Sequence, residues 1–139
     1  MSEKDKKKKG HIVLTVKNLA RSRDWYNVVL ARLGFTVGFE DETNIYYSSE
    51  EWSLYLAIFQ GEEEFKNDTF NRYRVGFHHF ALPAESKEAV DEFHQFLLEN
   101  NITVTEKPQH YPDYGDSLYY AVFFSDPDGL RFEIFFEGE

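Results

Sequence analysis

Glu133 is a lone carboxylate inside an aromatic, apolar run, Leu130-Arg131-Phe132-Glu133-Ile134-Phe135-Phe136, just after Asp126-Pro127-Asp128-Gly129. Read as a strand, the run puts Phe132, Ile134 and Phe136 on one face and Arg131, Glu133 and Phe135 on the other. A carboxylate buried without a partner is costly, so Glu133 either faces water or has a ligand. Two segments offer partners of similar geometry, His11-Ile12-Val13-Leu14 and His79-Phe80-Ala81-Leu82. In each, a histidine opens a strand and the bulkier apolar residues take the opposite face. Two imidazoles and one carboxylate on the less bulky faces are the donor set of an open divalent-metal site. Singly, each residue has an ordinary reading: a histidine that caps a strand, or a surface Glu133 beside Arg131 worth at most about 1 kcal/mol. Their common position and face favour ligation.

The elements that must position these residues form an internal repeat. His11 to Leu30 lies over His79 to Leu98 at a constant offset, pairing Leu14 with Leu82, Asn18 with Ser86, Trp25 with Phe93 and Val29 with Leu97. Asn18 and Ser86 stand where a helix N-cap belongs. Trp25, Val29 and Leu33 in one copy, and Val90, Phe93 and Leu97 in the other, recur at helical spacing and predict an apolar stripe on each helix. Gly34 ends the first helix in the manner of a left-handed cap. Strands are expected near Thr36–Phe39, Asn44–Ser48 and Trp52–Phe59, then near Thr103–Lys107, Leu118–Ser125 and Leu130–Phe136. Each copy is thus a βαβββ module, too small to bury its own sheet, and the fold class is α+β. The expected organisation is a basic tail over 1–10, a first module over 11–60, an acidic linker over 61–76 and a second module over 77–139. At the end of the repeat Leu56 stands opposite Glu133, and the second copy's extra residues fall around Gln109 to Gly115 as a loop.

Composition limits the partners. The chain has 139 residues, 42% hydrophobic and 18% aromatic, enough for one good core. It contains no cysteine, which excludes a disulfide scaffold and a thiolate metal site and fits a reducing cytoplasm. No apolar run approaches membrane-spanning length, and the start lacks a signal-peptide core. Five lysines against Glu3 and Asp5 give the tail a charge of +3, so a net charge of −10 leaves the remainder at −13. An acidic body argues against nucleic acid and anionic membranes as partners.

The chain resembles the vicinal oxygen chelate superfamily, which includes glyoxalase I, extradiol dioxygenases, fosfomycin-resistance enzymes, methylmalonyl-CoA epimerase and the bleomycin-resistance proteins. The resemblance rests on the run from His11 to Ser22 with Trp25-Tyr26 and Leu33-Gly34-Phe35, on His78-His79-Phe80-Ala81-Leu82, and on Phe123 to Glu133. It implies a cup-shaped mixed sheet built from paired βαβββ modules, helices outside and a metal within. Carried over by position, His11, His79 and Glu133 are the ligands. His79 rather than His78 matches, and alternation sends the adjacent histidines to opposite faces. Leu56 departs from the fourth, usually glutamate, ligand of glyoxalase I-like relatives. That leaves three protein ligands and open positions for water or a bidentate oxygen substrate. Relatives use zinc, nickel, manganese or iron.

A divalent ion held this way would polarise neighbouring substrate oxygens and stabilise a developing enolate or alkoxide. Tyr119, Tyr120, His110 and Glu42 are candidates for the accompanying acid or base. Tyr46, Trp52, Tyr55 and Phe123 are candidate pocket walls, suited to a small, partly apolar substrate. The same aromatics could instead be core. Two functions follow: a metal-dependent enzyme acting on a small vicinally oxygenated compound, or a metal-free binding protein of the bleomycin-resistance type whose acidic cup holds a cationic drug. The complete donor set favours the enzyme. Exposed sheet edges, and a nearly all-apolar strand from Trp52 to Phe59, predict a homodimer, with modules paired within one chain or exchanged between two.

Overall fold

The computed structural model describes residues 8–114 and 118–138. Most of the lysine-rich tail, and Gly115, lie outside them. The chain divides between Asp68 and Thr69 into two compact units.

The first unit runs β1 (Gly10–Val16), α1 (Leu19–Arg32), β2 (Thr36–Glu40), β3 (Asn44–Ser49) and β4 (Leu54–Gln60). Its sheet has the order β1-β4-β3-β2, with β1 parallel to β4 and the other pairs antiparallel. Asn18 caps α1 by accepting a hydrogen bond from the Arg21 amide at 3.1 Å. Gly34 closes the helix at φ +91, a conformation that favours glycine. The buried helix stripe is Leu19, Ser22, Tyr26, Val29 and Leu30, so Tyr26 takes the place expected of Trp25. Leu56 and Ile58 of β4 and Ile45 and Tyr47 of β3 are buried on the helix-packed face, and the Tyr47 hydroxyl donates to Asn27 of α1 at 2.6 Å. Trp52 precedes β4 in a turn, where Ser53 has a positive φ, instead of opening the strand as expected.

The second unit repeats the plan with β5 (Phe80–Pro83), α2 (Lys87–Glu99), β6 (Thr103–His110), β7 (Leu118–Ser125) and β8 (Arg131–Gly138). The order is β5-β8-β7-β6, again with the first pair parallel. Ser86 caps α2 through the Ala89 amide, and Val90, Phe93 and Leu97 form the expected stripe. Phe93 packs on Phe124, which stacks on Phe132, so the core lies between α2 and the sheet. Gln109 and His110 are strand residues and Tyr111 continues the ladder to Tyr119. The inserted residues therefore begin as a longer hairpin and not as the loop expected from Gln109.

The turn before β8 fixes its register. Asp126 Oδ1 accepts from the amides of Asp128 and Leu130 at 2.9 and 2.7 Å, and Gly129 takes φ +86. With that register set, Glu133 stands in an inner strand, beside Ala81 of β5 and Phe123 of β7.

Candidate functional site

Glu133 is only 2% exposed, and both of its oxygens are engaged. Oε2 accepts a hydrogen bond from the Tyr119 hydroxyl, and Oε1 lies 3.1 Å from His79 Nε2. The strand pattern explains the meeting. Tyr119, Phe123, Glu133 and Ala81 share the face of the sheet turned away from α2, and His79 enters just before β5 begins. Phe123 lies beneath the imidazole at 6.0 Å between ring centroids. Burial holds His79 below the ordinary imidazole range, against the pull of the Glu133 charge. Burial and the bond to Glu133 push the Tyr119 phenol well above its usual range, so Tyr119 is a hydrogen-bond donor at neutral pH.

Arg131 extends this face. Its guanidinium lies over the Phe123 ring at 3.9 Å and pairs with Glu106, which also accepts from Tyr111 at 3.1 Å. Nothing in the sequence marks this network beyond Arg131 sharing the face of Glu133. His78 is a second addition. The expectation that His78 and His79 diverge by alternation fails, because the strand begins only at Phe80 and the two Nδ1 atoms lie 2.6 Å apart.

In the first unit the corresponding face carries a pocket of about 420 Å³ lined by His11, Val13, Tyr46, Tyr55, Ala57 and Phe59. Ladder register corrects the repeat alignment. Val13 pairs with Ala57, and Ala81, the repeat mate of Val13, pairs with Glu133. The counterpart of Glu133 is therefore Ala57, not Leu56, which is fully buried on the helix side. A slip of one residue exchanges the faces of a strand. Alanine ligates no better than leucine, so the first unit still offers His11 as its donor on this face.

The remaining candidates separate. Tyr46 and Tyr55 line the pocket of the first unit, and Phe123 floors His79 in the second. Trp52 donates from Nε1 to the Leu33 carbonyl at the end of α1, outside the pocket lining. Tyr120 lies on the helix-packed face, bonded to Asp91 of α2 at 2.6 Å, with the His110 ring against it. The structure thus brings Tyr119 to Glu133 and leaves Tyr120 and His110 on the other side of the sheet. Glu42 is exposed in the β2–β3 connection of the first unit.

The second unit brings together two donors of the types a divalent ion takes. One imidazole nitrogen and one carboxylate oxygen stand side by side, and the second carboxylate oxygen is already held by a phenol. Within either unit, no three potential ligands gather among the described residues. No helix among the described residues is long and apolar enough to cross a membrane.

Residues 8–134 match the model of the Glyoxalase/Bleomycin resistance protein/Dioxygenase superfamily. The chain belongs to this superfamily. It is 34% identical over 124 residues to the uncharacterized protein YqjT of Bacillus subtilis (strain 168), a match covering 89% of this chain and 94% of that one. A solved structure from Bacillus halodurans, provisionally named a glyoxalase, is 29% identical at a TM-score of 0.75, over 91% of this chain and 92% of its own. The lactoylglutathione lyase of Agrobacterium tumefaciens, 20% identical at a TM-score of 0.66 over 91% and 90%, shares the superfamily fold.

Proposed function

We propose that the chain is a divalent-metal-dependent enzyme acting on a small, partly apolar, vicinally oxygenated substrate. The observation that carries the proposal is Glu133, only 2% exposed, with Oε1 3.1 Å from His79 Nε2. A structural carboxylate in that position would be an expensive way to fill an inner strand. His79 and Glu133 are two of the proposed donors, and His11, the repeat mate of His79 in the sequence, is the third. When bound, the ion would act as a Lewis acid toward a pair of substrate oxygens. Tyr119 fixes Glu133 and leaves Oε1 as its donor atom. The aromatic pocket beside His11 supports an apolar portion of the substrate. A cytoplasmic homodimer is part of the same reading.

Metal analysis of protein purified without a histidine tag tests it. One divalent ion per chain is expected, lost in His11→Ala, His79→Ala and Glu133→Ala. Stoichiometric metal retained by all three variants would sink the assignment. Light scattering should give twice 16.5 kDa, and 16.5 kDa at every concentration would refute the dimer.

A further inference from the structure

We propose that His78 is a positioning residue that sets which ring nitrogen of His79 carries the proton. The inference rests on the metal reading above and adds to it a residue outside the donor set. Two nitrogens 2.6 Å apart must share one proton between them, so one Nδ1 donates and the other accepts. His79 meets a carboxylate oxygen at Nε2 and an imidazole nitrogen at Nδ1. With no cation present, Nε2 donates its hydrogen to Glu133, and Nδ1 accepts from His78 Nδ1–H. To act as a ligand, Nε2 must give up that hydrogen, and the ring must carry its proton on Nδ1 instead. His78 accommodates the exchange. Its Nδ1 proton passes to His79 Nδ1, its own Nε2 takes a proton from water, and the Nε2 proton of His79 leaves to water. Two protons reside on the pair before and two after, and neither ring gains charge.

A backbone carbonyl or a carboxylate in the place of His78 could only accept. An imidazole both donates and accepts at the same atom, so the contact is satisfied in either arrangement. The position suits this role. His78 is exposed, its ring packs edge-on to Tyr73 at 6.3 Å, and water supplies the proton its Nε2 requires.

The test is a zinc titration of the full chain against a competing chelator, for wild type, His78→Phe and His78→Asn. His78→Phe keeps a ring but has no acceptor, and should weaken zinc binding by about 10- to 100-fold, the range for loss of a ligand's outer partner. His78→Asn places an amide where Nδ1 stands and should recover affinity to within about threefold. Imidazole ¹⁵N spectra of the wild type should show the His79 proton moving from Nε2 to Nδ1 as zinc is added. Equal affinity in wild type and His78→Phe, or no change in tautomer on zinc binding, would overturn the role of His78 and leave the metal reading intact. A wild type that binds no zinc would overturn the metal reading, and this role with it.

Discussion

Val13 faces Ala57 across the parallel ladder of the first unit, and Ala81 faces Glu133 across the same ladder of the second. On the helix-packed side the two units are alike. Leu56 beside Tyr47 in one is matched by Phe132 beside Phe124 in the other, all buried. On the opposite side they differ in kind. The first unit presents apolar walls around one histidine, and the second a hydrogen-bonded set of Tyr119, Glu133, His79 and His78. Helix packing constrains one face of each sheet to apolar shape. The other face is free to carry chemistry, and at matching places the second unit has the carboxylate of Glu133 where the first has Ala57.

If the helix-packed faces are equivalent, their truncations should be the costliest changes. Phe132→Ala should destabilise by about 3–5 kcal/mol and Leu56→Ala by about 2–5 kcal/mol, through lost transfer energy and the cavity left behind. Urea midpoints at constant slope would measure both. A cost below about 1 kcal/mol at either position would break the equivalence of the two cores.

The opposite faces should answer unequally. Glu133→Ala removes a donor and should weaken zinc binding by more than about 100-fold, beyond the loss of an outer partner. Tyr119→Phe, which keeps the carboxylate and frees its orientation, should cost about 10-fold. Ala57→Gly, at the matching place in the first unit, should leave zinc affinity unchanged. Competition with a chelator reads all three. Equal losses from Ala57→Gly and Tyr119→Phe would mean that the metal reading has misassigned the second unit's distinctive role.

Much of this contrast is legible in the sequence. The βαβββ repeat follows from helix caps and periodicity, and Glu133 stands out as one charge among aromatics. Three things are not legible there. Pairing Leu56 with Glu133 misses by one residue, because the Trp52–Ser53 turn delays β4 and a single slip reverses faces. Alternation sends His78 away from His79, but the rule does not operate ahead of Phe80, where no strand has begun. Tyr119 and Tyr120 are equally plausible acids in sequence, and only register assigns one to Glu133 and the other to α2.

That last separation gives the smallest effect and a clean pH test. Burial, then the hydrogen bond to Asp91, push the Tyr120 phenol up to about 12. The unfolded chain releases this proton near the ordinary tyrosine value of about 10. Between those values the folded protein holds a proton that the unfolded chain has lost, so folding stability falls as pH rises. The contribution is intact below about pH 10 and is lost progressively toward about pH 12. Other buried phenols titrate in the same direction, so the comparison must be with Tyr120→Phe. Wild-type stability should decline more steeply than that of the variant, by about 1 kcal/mol between about pH 10 and about pH 11. Denaturation midpoints across this window measure the difference. Parallel declines would mean that Tyr120 ionises as freely in the folded chain as in the unfolded one, and the assignment of its hydroxyl to the helix face would fall.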